Sequence, residues 1–572
     1  LGIPHPPGYP LWCLLAHVFT WIPLYTVAWR VAFFSAVMGA ATVFVLVLLC
    51  RRLSGSRWAS VLCGVTLAAS FDFYFQSVIP EVYTLNAFFV ALCWLLLILW
   101  HESRDVRLLW WLALVYGLSL ANHNTMLLLG PLFALFILAV ERPALSSMPR
   151  YLAMTALSLA VAFLLYTYLP LRSLANPPVD WGNPETLANW WRHVARGQYE
   201  FMITQNERSW SRFLMQLQVF GGWWLLFHYG LLPVLGVLGF ALHARRHNAA
   251  LAMIGVSGLL VSMAFLLIQN PDKTAEWMEV MKVFNLPLSM SVAVGAAMFL
   301  GGLTRRWFRA LASLAMVVIV AVTFAFVIQF KLGDATVVDR YARKVLDLLP
   351  PDSVLVPSAD HQSFPLLYLQ VVEGLRPDVT LARKYGYLEM DLFPTELRGQ
   401  YGDFPARRYE PELFDWLVQN DPRPIYFFKD PKFHTARVII EDCWLLKRAL
   451  RGGEESPVLD SDGCGLDLED PVLTESMAER FPSYTARAIT MEYTFRAAEW
   501  GFQENLEDAE NWLEKGLYFY GRDSTSLYNA GALCARYQRY EQAREYFEAA
   551  LEWDPTHQPS RDALKRLGRL GQ

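Results

Sequence analysis

Residues 27–50 read VAWRVAFFSAVMGAATVFVLVLLC, a stretch with a single charged side chain. A helix of this length spans the roughly 30 Å hydrocarbon core of a bilayer, because each helical residue adds about 1.5 Å. Ten such runs in succession predict a polytopic α-helical membrane domain, although any one of them could be a buried soluble helix. The other nine lie at 58–77, 83–100, 108–121, 126–140, 151–170, 218–243, 249–268, 284–304 and 310–330. The Pro- and aromatic-rich segment 9–24 predicts an interfacial or re-entrant helix.

The composition differs between the two halves of the chain. Overall, 54% of the residues are hydrophobic and 18% are charged, which argues against an ordinary cytosolic enzyme. Residues 1–330 contain 20 Lys/Arg and 12 Asp/Glu, whereas residues 331–572 contain 29 and 41. We therefore expect a membrane domain over 1–332, followed by an acidic soluble part. The bulk charge gives no indication of nucleic-acid binding.

Arginines predict the orientation of the membrane domain. Arg51, Arg52 and Arg57 lie in one loop between apolar runs. Further arginines lie in loops on the same predicted side of the membrane, at residues 104–107, 142–150, 245–246 and 305–309. Basic loops usually face the cytoplasm, so the alternate loops are predicted to lie on the outer side of a bacterial inner membrane. These outer loops cover 1–26, 72–82, 122–125, 171–217 and 269–283. The last run then places the soluble part outside as well.

The soluble part predicts two domains. Alternating helix and strand patterns over 333–485 indicate a small α/β domain with a partly parallel sheet, its helix at 334–348 being followed by strands at 353–357, 379–382 and 423–428. Residues 486–572 are predicted to be helical and to resemble a tetratricopeptide repeat, from the spacing of Gly531, Ala543, Phe547, Ala550 and Pro555. Such repeats usually bind a protein partner or pack on their own chain.

The seven cysteines do not indicate a metal site. They form no CxxC pair and stand at no zinc-finger spacing, so no metal and no cofactor are expected. Cys443 and Cys464 could form a disulfide outside the cell, and the sequence leaves this open.

Polar groups at the ends of the first apolar runs are candidates for a ligand site. His5 and Tyr9 stand in a rigid Pro- and Gly-rich turn, where His5 either contacts a phosphate or is a solvated turn residue. Glu81 follows Pro80, where it could position a sugar hydroxyl, although an acid at a helix N-terminus is the simpler interpretation. Asn122 and His123 interrupt an apolar stretch, which indicates either a ligand cavity or a hydrogen-bonded helix break.

Arginines in the long loop 171–217 are candidates for binding phosphate. Arg172 and Arg196 could bind a lipid phosphate through their guanidinium groups, whereas interfacial anchoring without a ligand explains most of the loop's Arg and Trp residues equally well. A helix over 185–199 would place Arg192 and Arg196 on one face. Lys282 is a further, weaker candidate.

Seven segments of the sequence resemble the signature motifs of a known family, and they follow one another in the same order as in that family. They are LGIPHPPGYPL at 1–11, AWRV at 28–31, RLSGS at 52–56, EVYTLN at 81–86, GLSLANH at 117–123, LPLR at 169–172 and WGNP at 181–184. The family contains bacterial polytopic proteins and the eukaryotic endoplasmic-reticulum O-mannosyltransferase of plexin-type receptors. Residues 358–365 and 376–379 extend the resemblance into the α/β part.

The resemblance implies a GT-C-like membrane glycosyltransferase with C-terminal tetratricopeptide repeats. The donor would be a sugar, with mannose suggested, that is linked to a polyprenyl phosphate. The acceptor would be a protein or a glycan outside the cell. It implies a metal-independent, inverting reaction in which His5, Tyr9, Glu81, Asn122 and His123 position donor or acceptor. The expected catalytic Asp of the family lies upstream of Leu1, and no residue here takes its place. A non-enzymatic transporter or a scaffold presenting the repeats is the alternative, although the chain shows no internal repeat typical of transporters.

Overall fold

The computed structural model describes residues 2–141, 145–199, 208–219, 230–243, 248–270, 274–329, 336–382, 410–428, 431, 438–443, 445–451, 484–503 and 508–570. The chain divides into two compact units. The first contains Leu1–Pro177, Asn183–Pro271 and Met278–Gln329, and the second contains Pro178–Gly182, Asp272–Trp277 and Phe330–Gln572.

The first unit is helical. Its helices are α1 (Pro10–Phe19), α2 (Val27–Ser54), α3 (Arg57–Ala69), α4 (Phe71–Val78), α5 (Tyr83–Ser103), α6 (Arg107–Leu120), α7 (Met126–Val140), α8 (Met148–Tyr166), α9 (Tyr168–Ser173), α10 (Leu187–Val194), α11 (Trp210–Gln218), α12 (Leu232–His243), α13 (Asn248–Gln269), α14 (Ala275–Phe284), α15 (Leu286–Gly301) and α16 (Arg306–Gln329). Each of the ten predicted apolar runs overlaps at least one of these helices.

The helices identify an integral membrane protein. Within the described residues, four helical stretches are long and apolar enough to cross a bilayer: Val27–Ser54, Tyr83–Ser103, Met148–Ser173 and Ala249–Gln269. Helices α3 and α4 together would make a fifth span, but they bend by 65° at Ser70. Ser70 adopts an extended backbone and its hydroxyl donates to the carbonyl of Leu67, 2.6 Å away, which ends α3. The predicted continuous run 58–77 is therefore two helices.

Small residues bring two helices of this unit into backbone contact. A Cβ added to Gly239 of α12 would lie 1.8 Å from the carbonyl oxygen of Gly295 in α15, and one added to Gly236 would lie 2.5 Å from that of Val292. Close approach at small residues is a common basis of helix association in membranes, because apolar burial gives little drive there.

The second unit contains a mixed five-stranded sheet. Its strands are β1 (Val354–Val356), β2 (Thr380–Leu381), β3 (Ile425–Phe427), β4 (Val438–Cys443) and β5 (Leu446–Arg451), in the order β2-β1-β3-β5-β4. Strand β1 pairs in parallel with β2 and β3, as the sequence predicts, and the β4–β5 hairpin, which it did not indicate, joins β3 in antiparallel fashion. Helices α17 (Thr336–Leu348), α18 (Asp360–Val371) and α19 (Glu410–Asn420) accompany the sheet.

The C-terminal helices continue from this α/β part. They are α20 (Tyr484–Gln503), α21 (Ala509–Tyr520), α22 (Ser524–Arg536), α23 (Tyr540–Trp553) and α24 (Gln558–Leu570). Ile489 and Tyr493 of α20 are buried in one core with Tyr341 and Leu366, so this helix shares the α/β core. A Cβ on Gly531 would lie 2.7 Å from the ring of Phe547, which explains the small residue in the predicted repeat. Cys464 lies outside the described residues.

Candidate functional site

The turn at residues 5–9, called the opening turn below, has at Gly8 a geometry that only glycine fits. Gly8 has φ +94°, and an added Cβ would lie 2.7 Å from a methyl group of Leu169 and 3.2 Å from Nε2 of His193. Tyr9 follows with φ 41°, a left-handed conformation that costs a non-glycine residue roughly 1–3 kcal/mol. This turn buries Tyr9 to 5% exposure and brings its ring into edge contact with His5, at 5.2 Å between centroids.

Glu81 lies in the short loop before α5, and its backbone is held on both sides. Its carbonyl accepts hydrogen bonds from the indole of Trp12 and the hydroxyl of Ser35, each at 3.2 Å. Its N–H lies 3.3 Å from the same Ser35 oxygen. Burial raises the pKa of the Glu81 carboxyl to about 7, while the neighbouring Val82 N–H lowers it in part. Glu81 is therefore an acid that changes charge near neutral pH, at a helix N-terminus.

Asn122 and His123 form the break between α6 and α7 that the sequence indicates. The Asn122 amide is completely buried and donates to the carbonyl of Val82 at 3.4 Å, next to Glu81. The His123 ring is 2% exposed, stacks on Tyr9 at 6.0 Å between centroids, and lies 5.5 Å from the ring of Tyr83. The helix break thus places His123 against Tyr9 of the opening turn and Asn122 against the backbone beside Glu81.

Arg196 lies at this site because the chain leaves helix α10 before it. Helix α10 ends at Val194, Arg196 adopts φ +59°, and a 3-10 turn covers Gly197–Tyr199. The condition for placing Arg192 and Arg196 on one face, a helix over 185–199, is therefore not met, because the helix covers only Leu187–Val194. Because its backbone leaves the helix, the Arg196 guanidinium lies 5.0 Å from the ring of Tyr199, in a cation–π contact.

Tyr199 connects the two ends of the site. Its hydroxyl oxygen lies 3.2 Å from Nδ1 of His5, 194 residues earlier in the chain. The structure therefore brings together five of the predicted residues around Tyr199 and Tyr83: His5, Tyr9, Glu81, His123 and Arg196. Asn122 is connected to this group through its hydrogen bond to the carbonyl of Val82, the residue between Glu81 and Tyr83.

Arg172 and Lys282 have other surroundings. Arg172 on α9 acts electrostatically on Tyr168, whose hydroxyl donates to the Gly2 carbonyl at 2.9 Å. Lys282 is 6% exposed, and its ammonium lies 5.4 Å from the ring centroid of Phe71. The phosphate roles of these two cations remain predictions.

The imidazoles of the site are uncharged at neutral pH. Burial, followed by the positive charge of Arg196, lowers the pKa of His5 to about 4 and that of His123 to about 3. Burial lowers the pKa of His193 to about 3 as well, with a smaller contribution from His5. An arginine stays protonated, so Arg196 provides a fixed positive charge beside neutral donors and acceptors.

Sequence reasoning missed Tyr83, His193 and the role of Tyr199. Tyr83 lies within the EVYTLN segment, and Tyr199 is one of several aromatic residues in an Arg-rich loop. The sequence contains no local signal that singles these three out, because their contacts join loops that are distant in the chain.

Comparison with known proteins supports the resemblance seen in the sequence. Residues 1–146 match the family model of the protein O-mannosyl-transferase TMEM260 N-terminal domain. Residues 524–557 match that of the tetratricopeptide repeat. The resemblance to the O-mannosyltransferase family and the presence of the repeat are thereby confirmed.

Curated relatives carry the same name. The chain is 29% identical to protein O-mannosyl-transferase TMEM260 of Mus musculus over 435 residues, which cover 72% of this chain and 61% of the relative. It is 23% identical to protein O-mannosyl-transferase tmem260 of Dictyostelium discoideum over 505 residues, covering 75% and 59%. The chain thus spans about three-fifths of the length of these relatives.

A solved structure is also similar in part. The crystal structure of ArnT from Cupriavidus metallidurans bound to undecaprenyl phosphate matches with a TM-score of 0.48 and 12% identity, covering 78% of this chain and 87% of that one.

Proposed function

We propose that this protein is a membrane glycosyltransferase of the GT-C type, which moves a sugar from a polyprenyl-phosphate donor to an extracytoplasmic acceptor. The expected sugar is mannose and the expected reaction is protein O-glycosylation. The relatives named as protein O-mannosyl-transferases support this assignment, as does the family match over residues 1–146.

The arrangement around Arg196 is the observation that carries the proposal. Glycosyl transfer forms a bond between an acceptor oxygen and the anomeric carbon and breaks the bond from that carbon to the phosphate. The acceptor hydroxyl gives its proton to a base, and the lipid phosphate leaves with one more negative charge than it has in the donor. The Arg196 guanidinium stabilises that charge as a fixed cation, and the neutral imidazoles of His5 and His123 beside it can form hydrogen bonds to the substrates.

The remaining groups of the site fit a sugar. Tyr9 and His123 offer aromatic rings, Glu81 offers its carboxyl oxygens, and Asn122 offers its amide oxygen, because its nitrogen already donates to the Val82 carbonyl. Glu81 is a carboxyl whose pKa of about 7 lets it donate to or accept from a hydroxyl group. We assign positioning of donor and acceptor to these residues together with His5, and contact with the phosphate to Arg196 and Arg172.

The location and partners of the site follow the same proposal. The short loops that contain His5, Glu81 and His123 have no Lys or Arg, which supports their placement on the outer side of a bacterial inner membrane. The C-terminal domains would then also lie outside the cytoplasm. We propose that the tetratricopeptide repeat contacts a protein partner, a role common in such repeats.

Transfer of a labelled sugar tests the function. The natural full-length protein, purified in nanodiscs, is incubated with polyprenyl-phosphate [3H]mannose and extracytoplasmic proteins of its own host, and protein-bound label is measured. We expect label on protein, and its loss in Arg196→Ala but not in Arg57→Ala, which changes an exposed residue of the opposite set of loops. Folded wild-type protein that neither binds nor consumes any donor of a panel of polyprenyl-phosphate sugars would overturn the proposal.

A further inference from the structure

A short chain of hydrogen bonds holds the ring of His123. The amide of Asn86 donates to the hydroxyl oxygen of Thr125 at 3.2 Å, and that oxygen lies 2.9 Å from Nδ1 of His123. The backbone N–H of Thr125 also donates to this nitrogen, at 3.3 Å. Asn86 lies in the first turn of α5 and Thr125 precedes α7, so two helices contribute to the chain.

The direction of these bonds decides where the ring carries its hydrogen. A backbone N–H can only donate, so Nδ1 of His123 must accept and cannot itself be protonated. The hydroxyl of Thr125 accepts from Asn86 and has its own hydrogen left to donate to the same nitrogen. A neutral imidazole with an accepting Nδ1 carries its hydrogen on Nε2.

Neighbouring rings keep the imidazole in this orientation. Tyr9, Tyr83 and Phe284 surround it at 6.0, 5.5 and 6.3 Å between ring centroids. Turning the ring by 180° would place a carbon atom where Nδ1 now accepts, and the bonds from Thr125 would be lost. The burial of His123 and the charge of Arg196, which lower the pKa of the ring to about 3, also oppose the doubly protonated form.

We propose that Asn86 and Thr125 are positioning residues that fix His123 as the Nε2–H tautomer, so that its ring donates a hydrogen bond to an oxygen atom of the lipid-linked sugar. The identity of this ligand rests on the proposed function, whereas the tautomer does not. With Nδ1 occupied and Nε2 protonated, His123 has no free lone pair. It is therefore a hydrogen-bond donor and does not take the proton of the acceptor.

The tautomer can be measured without any ligand. The protein is labelled with 15N-histidine, and the His123 signals are assigned by their loss in His123→Gln. We expect an unprotonated Nδ1 and a protonated Nε2 in the wild type and in Thr125→Ser. Thr125→Val removes the hydroxyl but keeps the backbone N–H that donates to Nδ1, so we expect the Nε2–H form to remain the major tautomer, with a larger minor fraction of the Nδ1–H form than in the wild type. A protonated Nδ1 in the wild type, or a fraction of the Nδ1–H form in Thr125→Val that does not exceed that in Thr125→Ser, would overturn the proposal.

Donor binding then tests the role of the ring. A glutamine amide nitrogen can occupy the place of Nε2, whereas that of asparagine can occupy only the place of Nδ1. We expect His123→Gln to bind polyprenyl-phosphate mannose within about threefold of the wild type, and His123→Asn to bind it about tenfold more weakly. Equal affinity of the Gln and Asn variants would overturn the donor role. A wild type that binds no donor while showing the expected tautomer would instead refute the proposed function and leave the tautomer assignment standing.

Discussion

The hydroxyl oxygen of Tyr199 lies 3.2 Å from Nδ1 of His5, and its ring faces the guanidinium of Arg196 at 5.0 Å. The Tyr199 side chain thus contacts both His5 of the opening turn and Arg196. Among His5, Tyr9, His123 and Arg196, only Arg196 carries a fixed positive charge. Removing the hydroxyl while keeping the ring separates these two contacts. In Tyr199→Phe we expect donor affinity to fall about three- to tenfold, the effect of one lost neutral hydrogen bond. Donor titration measures this, and Tyr199→Leu, which also loses the cation–π contact, should bind more weakly than Tyr199→Phe.

Arg196 is expected to matter more than any other cation of its loop. Arg196→Ala removes a charge-assisted contact worth about 1.5–3 kcal/mol, so donor affinity should fall about ten- to a hundredfold. Arg196→Lys keeps the charge without the planar guanidinium and should recover part of the loss. Arg192→Ala is the matched control, because Arg192 is an exposed residue of the adjoining α10. If Arg192→Ala weakened binding as much as Arg196→Ala, the assignment of the phosphate contact would fail.

The Glu81 carboxyl makes the stability of the protein depend on pH. Its pKa rises from 4.5 to about 7 on folding, mainly because of burial, so between these values the folded state binds more protons than the unfolded state. This contribution to stability is present below about pH 4.5 and is lost as the pH rises through about 7. Glu81→Gln removes the cost of the buried charge. We expect the variant to gain up to about 3 kcal/mol relative to the wild type above pH 7, and little below pH 4.5.

Thermal unfolding in detergent at a series of pH values measures this difference. The result that contradicts the account is a stability difference between Glu81→Gln and wild type that stays constant from pH 4.5 to 8.

Gly8 is expected to tolerate no side chain. In Gly8→Ala the left-handed backbone is strained and the new Cβ would collide with Leu169, so we expect a loss of about 2–4 kcal/mol together with weaker donor binding. Gly55 offers a matched control, because it has φ +66° but no atom within 4 Å of an added Cβ. Gly55→Ala should cost only about 1 kcal/mol. Equal unfolding free energies for the two variants would show that the contact with Leu169 does not matter.

Local signals in the sequence were sufficient for much of the fold and for part of the site. Apolar runs gave the helices, and polar residues inside an otherwise apolar stretch marked the break at Asn122 and His123. Prolines and glycines marked the opening turn around His5 and Tyr9. These features depend on residues that are adjacent in the chain, which is why a single sequence reveals them.

Contacts between distant segments could not be predicted in the same way. Nothing local in the sequence indicates that Arg196 lies beside Tyr199 and acts electrostatically on His5, Tyr9 and His123. The helix of this loop ends at Val194, and Arg196 adopts a left-handed conformation before Gly197, which no local pattern indicates. The tautomer of His123 likewise depends on Asn86, a residue of another helix.

Photo-crosslinking tests the central claim that the loops around Arg196 form the donor site. A polyprenyl phosphate with a photoreactive group near its phosphate is irradiated with the protein in nanodiscs, and the labelled peptides are identified by mass spectrometry. We predict labelling of the peptides that contain His5–Tyr9 and Arg196–Tyr199, reduced by competing polyprenyl-phosphate mannose and by Arg196→Ala. Labelling confined to the arginine-rich loops around Arg51 and Arg57, unchanged by Arg196→Ala, would contradict the account.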